Sequence, residues 1–225
     1  MTSPIMELAG LPTTVAGRRD ARTAVALLHG HSMSPSDLAP FAHSLGTPAL
    51  FLFPQGPVQV ASGGYAWWPV DLETKARALQ KGPRDLFEQQ PAGLDEARGR
   101  LDAFLTALAD RFRPQQIVLG GFSQGAMLAC DWLMQRDRDI AALISMSASR
   151  LNFEEWDARH KNLAGLPVLA SHGRHDTDLA FAAGERLRDF LGASGASVDW
   201  VPFDGGHEIP LIVWRRVRKL LASLP

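Results

Sequence analysis

Ser123 lies in Gly121-Phe122-Ser123-Gln124-Gly125, a G-x-S-x-G pattern, and is the side chain best framed for nucleophilic chemistry. A serine hydroxyl is a weak nucleophile until a neighbouring base takes its proton, and that base needs an acid to orient it. Two later stretches offer the missing partners. Asp176 ends Ser171-His172-Gly173-Arg174-His175-Asp176, and His207 ends Asp204-Gly205-Gly206-His207. Serine, acid, histidine is the chain order required when each stands on a loop after a later strand of a parallel sheet. Asp178 and Asp204 compete for the acid; Asp178 is expected to cap the following helix, and Asp204 shares the histidine's own loop. His172 and His175 compete for the base, but they precede and flank the acid and read as supporting groups. His29, His31, His172, His175 and Asp176 all fall at strand ends, yet their spacing matches no metal motif, so no metal is expected.

These residues need a scaffold that brings distant loops to one edge, and the surrounding pattern supplies it. Ile117-Val118-Leu119 runs into the serine turn, and Ala126–Cys130 continues as an apolar helical segment: strand, tight turn, helix. Side chains at Gly121 and Gly125 would collide with the neighbouring strand and helix. Thr23–Leu28, Ala49–Phe53, Ile140–Met146 and Leu166–Ala170 are short apolar runs of the kind buried on both sheet faces. Ser197–Phe203 alternates in part, like an edge strand. Residues 1–22 read as an opening strand or hairpin with a polar turn at Gly17-Arg18-Arg19-Asp20.

Between the strands, Ser34-Pro35 signals a helix start, and Leu94, Ala97, Leu101, Leu105, Leu108 and Phe112 recur at helical spacing. Helices are also predicted from the elbow to about Arg136, over about Asp178–Leu191, and over Pro210–Ser223. The last carries Arg215, Arg216, Arg218 and Lys219, which suit a helix C-terminus and a solvated face. Strands alternating with helices, without repeats, predict an α/β fold with a mostly parallel central sheet and helices on both faces.

Residues 54–90 break this rhythm. They lack clear periodicity and carry Tyr65, Trp67 and Trp68, then Pro69-Val70-Asp71 and a short charged segment, Glu73–Lys81. Their position after a strand whose carboxyl end should share the catalytic edge marks Trp67 and Trp68 as substrate-binding candidates, one facing the substrate and its neighbour packing beneath. The alternative is that they staple the excursion to the core. Gly30-His31-Ser32 follows the strand bordering the elbow strand, so the N–H of His31 is expected to join that of Gln124 as an oxyanion hole.

At 225 residues, with 46% apolar and 21% charged residues, the chain suits one α/β domain over 1–225 rather than two. A net charge of −1 with interspersed signs suggests no nucleic-acid partner. No run approaches the ~20 apolar residues of a membrane span, so no stable membrane insertion is expected. The first residues lack a signal-peptide pattern, which makes the cytoplasm the default location. Cys130, the one cysteine, reads as a buried small apolar residue. A homodimer is compatible with the sequence without being specified by it.

Leu28-His29-Gly30-His31, the serine elbow, the acid turn and Gly206-His207-Glu208-Ile209 together resemble the phospholipase/carboxylesterase family of α/β-hydrolases, which includes bacterial carboxylesterases and acyl-protein thioesterases. The resemblance spans nearly the whole chain. Ala66-Trp67-Trp68-Pro69-Val70-Asp71 is similar to an aromatic segment lining that family's acyl pocket. The likeness implies Ser123, Asp176 and His207 as the triad, and hydrolysis of carboxylic esters or thioesters, lysophospholipids among them, without a cofactor. Two positions depart from the pattern: His31 stands where many members carry an apolar residue, and Pro54-Gln55-Gly56-Pro57 replaces a proline-alanine-proline turn. Both bear on the substrate pocket. The expected partner is therefore a small-molecule acyl ester. Amide or peptide hydrolysis on the same triad and a non-catalytic ligand-binding module on this fold are the competing readings.

Overall fold

The computed structural model describes residues 4–137, 140–159 and 161–225. The chain opens with β1 (Ile5–Leu8) and β2 (Leu11–Gly17), an antiparallel hairpin. The polar Gly17–Asp20 stretch leads on to β3 (Thr23–Leu28), α1 (Pro35–Leu45) and β4 (Leu50–Pro54). The excursion follows, with β5 (Val58–Gln59), β6 (Tyr65–Ala66) and α2 (Leu72–Leu79). Then come α3 (Leu94–Phe112), β7 (Gln116–Phe122), α4 (Gln124–Gln135), β8 (Ala142–Met146), α5 (Phe153–Arg159) and β9 (Pro167–Gly173). α6 (Phe181–Ala193), β10 (Ser197–Phe203) and α7 (Leu211–Ser223) complete the chain.

Eight strands form one sheet in the order β1-β2-β4-β3-β7-β8-β9-β10, and all neighbours from β4 to β10 are parallel. Parallel neighbours need crossovers, and the crossovers place helices on both faces. β3 shows why its sequence is apolar throughout. Ala24, Ala26 and Leu28 face one core with Leu101, Leu105, Leu128 and Trp132. Val25 and Leu27 face the other with Leu38, Leu45, Val213 and Val217. Both sides of the strand are covered, so neither alternate position can be polar. β10 is an edge strand, partly exposed, as its mixed pattern predicts.

The α1 start is built as expected: the Ser34 N–H donates to the Asp37 carboxylate at 2.7 Å, satisfying a donor at the helix entry. The strand predicted over Leu166–Ala170 runs on to Gly173, so His172 lies inside it and is buried. The helix expected from about Asp178 begins instead at Phe181, with Ala180 at the cap position. Asp178 is therefore not a helix cap. Its carboxylate faces Lys75 and Arg84, far back in the chain. Arg138, Asp139 and His160 lie outside the described residues. Among the described residues no helix is long and apolar enough to cross a membrane.

Candidate active site

β7 delivers Ser123 to the carboxyl edge of the sheet, and α4 starts at the next residue. The turn between them is tight enough to put Ser123 at φ 53°, ψ −119°, a conformation costing a non-glycine residue about 1–3 kcal/mol. The neighbours hold it there. The Ser123 N–H donates to Met146 O at 2.8 Å, and the Met127 N–H donates to Ser123 O at 3.0 Å. The glycines expected to allow the turn do so by close approach. A Cβ on Gly125 would lie 2.4 Å from Leu28 O, and one on Gly121 would lie 2.6 Å from the Gly125 carbonyl carbon. Both obstacles are backbone, which cannot swing aside.

His207, beyond β10, places Nε2 2.9 Å from Ser123 Oγ, and its Nδ1 lies 2.6 Å from Asp176 Oδ2. The ring packs beside Phe122 at a centroid distance of 4.8 Å. With Nδ1–H donated to the carboxylate, Nε2 is left to accept the serine proton. The acid and histidine loops are stitched together by N–H bonds from Arg174 to Phe203 O and from His175 to Gly205 O, both 2.9 Å.

Asp176 is buried and fully engaged. Its Oδ1 accepts the N–H groups of Asp178 at 2.8 Å and Leu179 at 2.9 Å. Its Oδ2 accepts His207 and lies 3.3 Å from His172 Nε2. Burial pushes the carboxyl pKa up, but the hydrogen bonds from His172 and His207, the charge of His207 and the Leu179 N–H outweigh it. The group is held well below the usual carboxylate range. The competing acids are occupied elsewhere. Asp204 pairs on the surface with His175 at 2.7 Å, and Asp178 receives Lys75 Nζ at 2.7 Å and the Arg84 guanidinium.

His172 supports the acid from below. Its Nε2 faces two acceptors, Leu179 O at 3.0 Å and Asp176 Oδ2, so this nitrogen carries the proton. His29 is likewise structural: Nε2 accepts the Gly56 N–H at 2.9 Å, and Nδ1 donates to Gly30 O at 2.8 Å. Burial holds its pKa down to about 4, so the ring is neutral at pH 7. Cys130 is buried, and desolvation pushes its thiol up to about 12, which leaves it a small apolar side chain. Among the described residues no group of three or more His, Cys, Asp or Glu is placed to hold a metal ion.

A cavity of about 290 Å³ opens beside the serine, lined by His31, Trp68, Ser123, Gln124, Met127 and residues of the excursion. The loop after β3 approaches the elbow closely: a Cβ on Gly30 would stand 3.3 Å from Ser123 Cβ. His31 thus borders the same space as Ser123 and Gln124. Burial, then the Lys75 ammonium, hold the His31 imidazole below its usual range.

The two tryptophans divide. Trp68 lines the cavity; Trp67 does not, and of the two substrate-binding candidates it is instead a buried support. Its indole N–H donates to His29 O at 2.9 Å, and its ring lies 5.3 Å from that of His29. The two stand in the bend that follows β6, where the indole bond to His29 O turns Trp67 inward. Sequence reasoning missed what the Gln124 side chain does. Its buried side-chain amide accepts the Trp67 N–H at 2.8 Å and donates to Trp68 O at 3.0 Å, clamping the aromatic segment to the elbow. Only the polar residue type at an otherwise apolar helix start hints at this.

A family model described as Phospholipase/Carboxylesterase matches residues 9–224. The chain belongs to the phospholipase/carboxylesterase family. Solved α/β-hydrolase structures share its fold. A carboxylesterase from Mesorhizobium loti superposes with a TM-score of 0.80 at 20% identity, over 99% of this chain and 100% of that one. Esterase PE8 gives a TM-score of 0.78 at 24% identity, over 100% and 99% of the two chains. In sequence, acyl-protein thioesterase 1 of Cryptococcus neoformans is 30% identical over 101 residues. That stretch is 44% of this chain and 42% of the thioesterase, so the match spans less than half of that curated relative's length.

Proposed function

We propose that this family member is a serine hydrolase of carboxylic esters, thioesters included, that works through an acyl-enzyme on Ser123. The observation that carries the reading is the unbroken hydrogen-bonded line from Ser123 Oγ through His207 to Asp176, at 2.9 and 2.6 Å, beside an open cavity. His207 takes the serine proton as Oγ attacks the acyl carbonyl. Asp176, ionised at all ordinary pH values, keeps Nδ1 protonated and stabilises the imidazolium that forms. The N–H groups of Gln124 and His31 receive the oxyanion. His207 then protonates the leaving alcohol or thiol, and a water activated by the same nitrogen releases the acid. The sequence-matched thioesterase supports including thioesters among the substrates.

The test is a panel of p-nitrophenyl esters of increasing chain length with an aminoacyl anilide alongside. Ester turnover with an inert anilide is expected. Faster anilide cleavage would make the protein an amidase, and inertness to both would reduce it to a binding module.

A further inference from the structure

The cavity beside Ser123 has an apolar side, with Trp68, Leu86 and Met127, and a charged side that the reaction does not use. Lys75 on α2 and Arg84 just beyond it both converge on Asp178. Lys75 Nζ lies 2.7 Å from Oδ2, and Arg84 reaches Oδ1 through Nε at 3.1 Å and through Nη2. The three side chains are only 22, 16 and 22% exposed, so they form part of the wall rather than a solvated surface.

Two cations share one carboxylate, which leaves one positive charge over. Lys75 has three N–H donors and, among the described residues, gives one to protein. Asp71 also borders the cavity, but its exposed carboxylate is turned to the start of α2, where it accepts the Glu73 and Thr74 N–H groups and the Thr74 hydroxyl and is screened by solvent and the helix end. The field at His31 supports this balance. Lys75 and Arg84 both depress the imidazole pKa, and the opposing effect of Asp178 is smaller than that of Lys75. Arg84 is held in place by its backbone, whose N–H donates to Asp178 O at 2.9 Å and whose O accepts the Ala180 N–H at 2.8 Å. The cations are thus tied to the segment that also carries Asp176.

We propose that Lys75 and Arg84 form an anion subsite in the wall of the catalytic cavity, and that the substrate is an ester carrying a carboxylate a few bonds from its scissile carbonyl. This rests on the serine-hydrolase reading above. The cavity of about 290 Å³ lies at the lower end of small-ligand sites, which fits a short acidic ester better than a long fatty chain. Charged and apolar walls then have separate tasks: the carbon chain lies along Trp68 and Met127 while the acid is drawn to the cations.

The test compares matched ester pairs. Mono-p-nitrophenyl esters of glutaric, adipic and pimelic acids put the charge on the acyl side, and butyrate esters of glycolic and 3-hydroxypropionic acids put it on the alcohol side. Each is set against its methyl-capped neutral counterpart, with the spontaneous rate subtracted. In at least one series the anionic member should lead in kcat/KM by about tenfold, equivalent to about 1.4 kcal/mol, and the lead should shrink in about 0.5 M NaCl. Lys75→Gln should lower the anionic-to-neutral ratio, Lys75→Arg should restore it, and Asp178→Asn should raise it. A ratio near one in both series, or the same ratio in wild type and Lys75→Gln, would overturn the subsite and leave the three side chains as a latch on α2. Calorimetric titration of Ser123→Ala with adipate reads the subsite apart from turnover. Adipate binding that Lys75→Gln weakens sustains it even if no ester is cleaved, and no binding overturns it.

Discussion

A Cβ on Gly125 would meet Leu28 O at 2.4 Å and His29 O at 2.6 Å, while along the whole of α2 no side chain is buried. Both regions border the same cavity. The elbow is wedged between strand and helix backbones, so Ser123 cannot drift. The excursion seats the side chains of Trp67, Trp68 and Leu86 in the core and is tied at separate polar points besides: the Gln124 amide on Trp67 and Trp68, the Trp67 indole on His29 O, and Lys75 and Arg84 on Asp178. Backbone crowding fixes the Ser123 turn, whereas a few buried side chains and polar ties hold the cavity wall. A wall held in that way can change without disturbing the chemistry behind it.

The largest effect is expected at Asp176. Asp176→Asn should lower kcat by about 10⁴, because an amide neither stabilises the imidazolium nor enforces the right tautomer. Asp204→Asn should leave ester turnover within a few-fold, and Asp178→Asn should fall between, since the Asp178 N–H that braces Asp176 survives. Steady-state kinetics on a neutral ester ranks the three. A larger loss at Asp178 or Asp204 than at Asp176 would move the acid.

The excursion's anchor comes next. Trp67→Ala removes a buried indole and the N–H given to His29 O, so urea unfolding should show a loss of about 3–5 kcal/mol. A loss below about 1 kcal/mol would mean that Trp67 does not anchor the excursion.

His29 gives a pH-dependent version of the same test. Its folded pKa of about 4 lies below the unfolded value near 6.5, so the unfolded chain takes up the proton first as pH falls. The contribution is complete above about pH 6.5 and is lost as pH drops towards 4, amounting to roughly 3 kcal/mol. Urea melts at pH 7 and pH 4 should show His29→Gln losing less stability over this interval than wild type.

The smallest effect is expected at the cavity face itself. Trp68→Ala should shift the chain-length profile in kcat/KM, since each methylene that loses apolar contact costs up to about 0.8 kcal/mol, and the acetyl ester should change least. A shifted profile with Trp67→Ala but not with Trp68→Ala would reverse their assignment.

How legible each region was follows from the range of the forces that shape it. Thr23–Leu28 and Leu94–Phe112 match their sequence-derived bounds because burial on two faces, or on one helical stripe, writes a period into neighbouring residues. The elbow was legible because backbone crowding there demands glycine at fixed positions. α2 and α5 were not legible: one buries nothing and the other is a seven-residue helix burying Trp156 alone, so neither carries a periodic pattern. Asp178 looked like a cap because its real partners lie about a hundred residues earlier, where no local signal reaches. Which tryptophan faces the cavity depends on bonds to His29 O and the Gln124 amide, partners far from them in the chain that leave no local signal.

Rapid quench of the protein with a p-nitrophenyl ester, followed by peptide mass analysis, shows whether Ser123 carries the acyl group. An acyl mass increment is expected on the peptide containing Ser123, located to that serine, and absent from the Ser123→Ala protein along with turnover. Acyl transfer to another side chain, or undiminished turnover by a folded Ser123→Ala protein, would contradict it.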